Sequence, residues 1–69
     1  MSESTFRNKL KIYRAINDLT QEQLADLAFV TRKTINTVEK GKFVPSTFLA
    51  LKLAKILKTT VDELFYIEE

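Results

Sequence analysis

The apolar residues between positions 21 and 40, QEQLADLAFVTRKTINTVEK, recur at helical spacing on both sides of a short interruption. Residues three or four apart share one face of a helix, so the pattern predicts two helices that cross at a tight turn. Ala25 stands one turn before the bend, where a larger side chain would push the helices apart. The residues expected on the shared apolar side are Leu24, Ala28, Val30, Ile35 and Val38.

Start and stop signals divide the chain into five helices. The first should run over about 7–17, and the second begins after Thr20, which forms a capping box with Gln23. Thr31 is the expected N-cap of the third helix, which ends by Gly41, the only glycine. Core candidates in and just after the first helix are Leu10, Tyr13 and Leu19.

The second half of the chain carries similar signals. Ser46 caps a fourth helix, and Pro45 before it blocks extension backward. Thr60 and Glu63 are expected to form a second capping box, which opens a short fifth helix over about 61–65. The apolar residues at helical spacing in the fourth helix are Leu49, Leu53, Ile56 and Leu57.

The polar residues of the third predicted helix lie away from its apolar stripe and should face outward. A short helix with an exposed basic and polar face fits the major groove of DNA. Packing alone explains the apolar stripe equally well. The small residue, the turn and the basic face occur at one spacing, and this combination favours DNA. The outward residues are Thr31, Arg32, Lys33, Asn36 and Thr37.

Length and composition limit the classes of function. The 69 residues make one small domain, with a core over about 7–65 and a short C-terminal extension over 66–69. The chain has no cysteine and no histidine, which excludes a disulfide framework and a zinc finger and removes the commonest metal ligand. No apolar run approaches the roughly 18 residues of a membrane span, and the N-terminal residues MSESTFRNK lack the apolar segment that is typical of a signal peptide. We therefore expect a cytoplasmic protein with no membrane partner, cofactor or metal.

The charges are unevenly distributed along the chain. All 11 Lys and Arg lie within residues 7–58, and with the five acids of residues 1–58 they give that part a formal charge of +6. Residues 59–69 carry the other four acids and a charge of −4. An ordinary solvated surface would also explain such charges. The separation nevertheless favours one face for an anion and an acidic end kept away from it.

Five sequence blocks between Asn8 and Phe65 together resemble the Cro and phage-repressor type of helix-turn-helix protein, also called the Xre family. The blocks are NKLKIYR, LTQEQLA, TRKTINTVEKGKFVPS, ALKLAKIL and TVDELF. The resemblance implies an all-α fold, a compact five-helix bundle like the DNA-binding domain of lambda repressor. It also implies a DNA-binding transcriptional regulator whose partners are double-stranded DNA and a second copy of the chain, since members commonly bind palindromic operators as homodimers. Repression is expected, because a small dimer on a promoter blocks polymerase by occupancy.

The resemblance assigns roles to individual side chains. Arg32 and Lys33 suit guanine, and Thr37 suits a thymine methyl group. Asn36 reads an adenine, contacts a phosphate or is simply solvated, and the sequence leaves these alternatives open. The residues implied for DNA bases are therefore Arg32, Lys33, Asn36 and Thr37. Those implied for phosphates are Gln21, Thr31, Thr34, Lys40, Lys42 and Phe43, with plain solvation as the alternative for the two lysines.

Other positions are implied to be structural. Arg14 and Glu39 match an ion pair between the first and third helices. Phe29 in the turn and Lys58 before the last helix stand where the family commonly has glycine. A bulky residue with positive φ costs on the order of 1 kcal/mol or more. We therefore expect either a re-formed turn or compensating burial of Phe29.

The C-terminal run is too apolar to leave in water, and some short family members form dimers through this part. The residues expected at a homodimer interface are Leu64, Phe65, Tyr66 and Ile67. In the competing interpretation these side chains fold back on their own core. Ile12 and Ile16 are expected either to be exposed or to meet this segment.

Two other function classes compete with DNA binding. An enzyme is disfavoured, because the adjacent acids at 62–63 and 68–69 point in different directions and make a poor acid–base pair. An antitoxin-like module that neutralises a protein partner and autoregulates its operon remains an alternative, since antitoxins share the fold. The chain has no obvious extra toxin-binding segment, which argues against it. No small-molecule effector is expected, because no sensing domain is evident.

Overall fold

The computed structural model describes residues 4–69, which form five helices and two short strands. The helices are α1 (Leu10–Ile16), α2 (Gln21–Ala28), α3 (Arg32–Glu39), α4 (Thr47–Ile56) and α5 (Val61–Leu64). The strands β1 (Thr5–Asn8) and β2 (Phe65–Glu68) flank them and pair antiparallel. The predicted five-helix bundle is confirmed. The terminal strands were not predicted, and β1 delays the start of the first helix from the expected residue 7 to Leu10.

One hydrophobic core holds the helices together. The predicted apolar stripe over 21–40 is buried, apart from the half-buried Val30. Ala25, the small residue one turn before the bend, is also buried. Tyr13, Leu19 and Ile56 are partly buried against this core. The largest fully buried side chains are Leu10, Leu24, Ile35, Leu53, Leu57, Leu64 and Val38.

Side-chain caps begin four of the helices. The side chains of Thr20, Thr31, Ser46 and Thr60 each accept a hydrogen bond from the backbone amide three residues on. The capping box of α2 is complete, because Gln23 Oε1 also accepts from the Thr20 amide at 2.9 Å. The second predicted box is only half formed. The Glu63 carboxylate accepts from the Tyr13 hydroxyl at 3.5 Å instead of from the Thr60 amide.

The four longer helices end in the same way, although the chain has one glycine. Each is followed by a left-handed residue: Asp18, Phe29, Gly41 or Lys58, with φ of 56°, 58°, 74° and 60°. In this Schellman arrangement the amide of the left-handed residue and the amide of the residue after it bond back to carbonyls of the last helical turn. After α3, for example, the Gly41 amide bonds to Val38 O at 2.9 Å and the Lys42 amide to Thr37 O at 3.0 Å.

Phe29 keeps the turn without gaining burial, so both expectations for this residue are wrong. Its side chain is 88% exposed. Lys52 Nζ lies 5.5 Å from the centroid of the Phe29 ring and 4.8 Å from that of Phe48. The same ammonium donates to Ala28 O at 2.7 Å. A cation therefore satisfies the C-terminal end of α2 and contacts two exposed aromatic rings.

The terminal strands join the two ends of the described chain. Phe6 lies opposite Ile67 and Asn8 opposite Phe65. The rings of Phe6 and Phe65 stack with centroids 5.6 Å apart. Leu64 and Phe65, predicted at a dimer interface, are buried in the core of the chain itself, as the competing interpretation holds. Tyr66 and Ile67 remain exposed. The exposed residues of α1 include Ile12 and Ile16.

Candidate nucleic-acid interface

The α2–turn–α3 unit presents the predicted polar face to solvent. Arg32 and Lys33, in the first turn of α3, are exposed, and Asn36 and Thr37, one turn later, are half-buried. The side chains of Thr31 and Thr34 meet at the start of α3, with their hydroxyl oxygens 3.0 Å apart. The Thr31 hydroxyl accepts from the Thr34 amide at 3.2 Å, and the amides of Arg32 and Lys33 precede it in the first helical turn, a position that attracts anions.

An ion pair fixes the orientation of this helix. Arg14 Nε donates to Glu39 Oε2 at 2.6 Å, and Arg14 Nη2 donates to Glu39 Oε1 at 3.3 Å. Arg14 Nη1 also donates to Leu19 O at 2.8 Å. The pair implied by the family resemblance is thus present. It links α1, the loop before α2 and the last turn of α3.

Gln21 extends this ion pair into the polar face. Its Nε2 donates to Glu39 Oε1 at 3.0 Å and to Asn36 Oδ1 at 3.2 Å. Its Oε1 accepts from Arg32 Nε at 3.3 Å. The family resemblance implies that Gln21 contacts a DNA phosphate. In this structure both protons of its side-chain NH₂ group are donated within the protein, to Glu39 and Asn36. Gln21 holds Arg32 and Asn36 in place from the first turn of α2.

Thr37 has its hydroxyl committed to the helix. Thr37 Oγ1 lies 2.9 Å from Thr34 O and 3.0 Å from Lys33 O, and its single proton is shared between these two carbonyls. The side chain therefore offers mainly its methyl group to a partner. Beyond the helix, the three exposed residues expected near phosphates are Lys40, Lys42 and Phe43.

The cations of this surface have no acidic partners. Within residues 4–69 the ion pairs are Arg7–Glu68, at 3.0 Å, and Arg14–Glu39. Arg32, Lys33, Lys40 and Lys42 therefore keep uncompensated charges on one helix and the loop after it. The sequence predicts an acidic C-terminal end kept away from the basic residues. The structure differs in one place, because β2 brings Glu68 into contact with Arg7.

A helix-turn-helix family model matches residues 10–64. This chain belongs to the Xre-type helix-turn-helix family. Family membership supports DNA binding and a role in transcription regulation, in agreement with the polar face of α3. Over residues 4–69 no cluster of acidic, histidine or cysteine side chains suited to a metal occurs, and no helix there is long and apolar enough to cross a bilayer.

Individual relatives and solved structures are similar to this chain. An uncharacterized HTH-type transcriptional regulator of Methanocaldococcus jannaschii is 48% identical over 63 residues, which cover 91% of this chain and 96% of that protein. The restriction-modification controller protein C.AhdI of Aeromonas hydrophila has a similar structure, with a TM-score of 0.73, 35% identity and 78% coverage of each chain. A putative DNA-binding protein from Bacteroides fragilis, 24% identical, matches with a TM-score of 0.82 over 90% of this chain and 100% of its own, which supports the helix-turn-helix fold.

Three contacts around the helix-turn-helix were missed by the sequence reasoning. Gln21 is the centre of a network, Asn8 Nδ2 donates to Val38 O at 2.8 Å, and Lys52 caps α2. Of these, only the Gln21 network has a signal in the sequence. Asn36 and Glu39 are three residues apart, so they lie on one side of α3 and can share a donor from a crossing helix.

Proposed function

We propose that the protein is a sequence-specific transcriptional repressor in the cytoplasm, which binds a near-palindromic operator as a homodimer with α3 in the major groove. The observation that carries this proposal is the pair of exposed, uncompensated cations at the start of α3, Arg32 and Lys33. The helix that bears them is fixed to α1 and α2 through Glu39 and Gln21. A rigid basic helix is what base readout requires.

In this proposal Arg32 and Lys33 donate to guanine O6 and N7. Arg32 uses only Nε toward Gln21, which leaves the outer nitrogens of its guanidinium for a base. Thr37 offers its methyl group to a thymine, since its hydroxyl is committed to backbone carbonyls. The Oδ1 atom of Asn36 accepts from Gln21, so its NH₂ group is the part that donates to a purine N7 or a phosphate.

Phosphate contacts would flank these bases on both sides. The first-turn amides of α2 at Gln21 and of α3 beside Thr31 and Thr34 are suited to phosphate oxygens. Lys40, Lys42 and the backbone at Phe43 would contact the strand after α3. A dimer that neutralises about 6 to 10 phosphates loses roughly three to five decades of affinity between 50 and 200 mM salt.

A two-fold dimer would place two copies of α3 one DNA turn apart, about 34 Å, and so read a near-palindrome. Fluorescence anisotropy with random-sequence duplex at about 50 and 200 mM salt, followed by selection of tight binders, tests this proposal. Steep salt dependence and enrichment of a palindromic site are expected. Failure to bind any duplex at the lower salt would contradict the proposal and make an antitoxin-like role, with a protein partner, the leading alternative.

A further inference from the structure

The β1–β2 ladder determines which backbone groups of β2 remain unpaired. The Lys9 amide donates to Leu64 O at 2.8 Å, and these two residues are opposite in the same register. Hydrogen-bonded and non-hydrogen-bonded pairs alternate in an antiparallel ladder. Tyr66 and Glu68 therefore bond to β1. The N–H and C=O of Ile67 point away from β1, toward the open edge of the sheet.

The two edges of this sheet differ. On the β1 side, Asn8 Nδ2 donates to Val38 O at 2.8 Å and Asn8 Oδ1 accepts from the Leu10 amide at 3.0 Å, so side-chain bonds tie this strand to the helices. Neither edge pairs with a further strand within residues 4–69, but on the β2 side the side chains of the strand make no hydrogen bond to a helix. A strand with free N–H and C=O groups is a template for another strand. Two short strands alone are also marginal in water.

The faces of the sheet are equally distinct. Opposed residues share a face, so Phe6, Phe65 and Ile67 lie on one face together with Asn8. The outer part of this mainly apolar face is unburied, with Phe6 38% and Ile67 63% exposed. The other face is polar and carries the Arg7–Glu68 pair. On that face Lys9 Nζ lies 5.6 Å from the centroid of the Tyr66 ring.

We infer that β2 pairs antiparallel with β2 of a second copy around a two-fold axis at Ile67, which gives a continuous four-stranded sheet. This inference rests on the proposed homodimer and names the surface that makes it. The Ile67 amide of each copy donates to the Ile67 carbonyl of the other. The Glu69 amide likewise donates to the partner's Phe65 carbonyl. The Phe65 amide is not needed, because it already bonds to Val61 O.

Side-chain chemistry fits this register. The two Ile67 side chains become neighbours on the apolar face and shield each other from water, and the apolar row continues into Phe6 of each copy. In the same register Glu68 lies opposite Tyr66 of the second copy, a non-hydrogen-bonded pair with close side chains. Lys9 lies over that tyrosine ring, so the incoming carboxylate meets a cation. The second copy is thus complementary in backbone, apolar surface and charge.

Ile67→Pro tests the inference, because it removes the outward N–H while the bonds of β2 to β1 remain. Ile67→Ala is the matched control, since it shortens the side chain but keeps the N–H. The dimer dissociation constant, measured by sedimentation, should rise about 10- to 100-fold more for Ile67→Pro than for Ile67→Ala. Both variants should keep the circular-dichroism spectrum of the native fold.

A second readout does not depend on either variant. Wild-type protein mixed from isotope-labelled and unlabelled chains should give an intermolecular Hα–Hα contact in NMR between Tyr66 and Glu68. A wild-type dimer without this contact, or with equal dissociation constants for both variants, would overturn the β2 pairing and leave the dimeric repressor intact. A wild-type monomer of 8.0 kDa at micromolar concentration, free and on DNA, would instead contradict the dimer itself.

Discussion

Arg14 Nε donates to Glu39 Oε2 at 2.6 Å and so ties α1 to the last turn of the helix that carries the candidate DNA contacts. The two side chains are 15% and 6% exposed, so both charges are largely removed from water. Gln21 reaches the same carboxylate and joins it to Arg32 and Asn36. The orientation of the polar face therefore depends on one ion pair beneath it.

Glu39→Ala should lower the free energy of unfolding by about 3–5 kcal/mol, because Arg14 would be left desolvated without its partner. The loss should appear in stability before it appears in sequence specificity. Urea unfolding measures it. The control is Asp26→Ala, which removes an exposed acid of α2 that makes no ion pair within residues 4–69, and it should cost no more than about 1 kcal/mol. An unchanged melting temperature for Glu39→Ala would count against a structural role for the pair.

Gln21→Glu should be less stable than Gln21→Ala by about 1–3 kcal/mol. The glutamine Nε2 lies 3.0 Å from Glu39 Oε1, so the isosteric glutamate would bring a second carboxylate against the first. Alanine only removes the donor. Chemical denaturation of the two variants under identical conditions gives the comparison. Equal stabilities would mean that Gln21 does not bear on Glu39 in solution.

Lys40→Ala and Lys42→Ala should each weaken binding to selected and random duplex alike, and reduce the slope of log K against log salt by about one. Lysine on a phosphate contributes charge without reading sequence, which is the reason for the uniform effect. Anisotropy titrations at several salt concentrations give the slope. Lys11→Ala, an exposed cation of α1 outside the candidate contacts, is the control. A wild-type slope in the Lys40 and Lys42 variants would mean that these lysines are simply solvated and do not contact phosphates.

Phe29→Gly should raise the free energy of unfolding by about 0.5–1 kcal/mol. Glycine relieves the left-handed strain, and the exposed ring contributes little beyond its contact with Lys52. Lys58→Gly, at φ of 60°, is a second left-handed site for comparison and should gain a similar amount. If thermal unfolding shows that Lys58→Gly stabilises the protein but Phe29→Gly destabilises it, the contact of the Phe29 ring with Lys52 outweighs the backbone strain.

Local signals in the sequence predicted most of the helical fold. Hydroxyl caps such as Thr20 and Thr31, the apolar spacing and Gly41 act within a few residues, so the sequence displays them directly. The terminal strands are different, because Thr5 pairs with Glu68 across nearly the whole chain and no short pattern encodes that register. For this reason the sequence did not predict β1 and β2.

The candidate site was predictable to a similar degree. The outward positions of Arg32 and Lys33 follow from the helical wheel alone. The commitment of the Gln21 amide to Glu39 depends on the crossing geometry of α2 and α3, which spacing does not give. The sequence also did not predict that Phe29 is exposed, since its ring contacts Lys52, which lies on α4 and is distant along the chain.

The most direct test of base readout by α3 is the ratio of affinities for the selected operator and for random duplex, measured for the wild type and Arg32→Ala at one salt concentration. The Arg32 variant should lose about 1–3 kcal/mol of this discrimination, because a bidentate contact to guanine is removed. Lys11→Ala should keep the wild-type ratio. If Arg32→Ala also keeps the wild-type ratio, Arg32 does not read a base and the assigned role of α3 is contradicted.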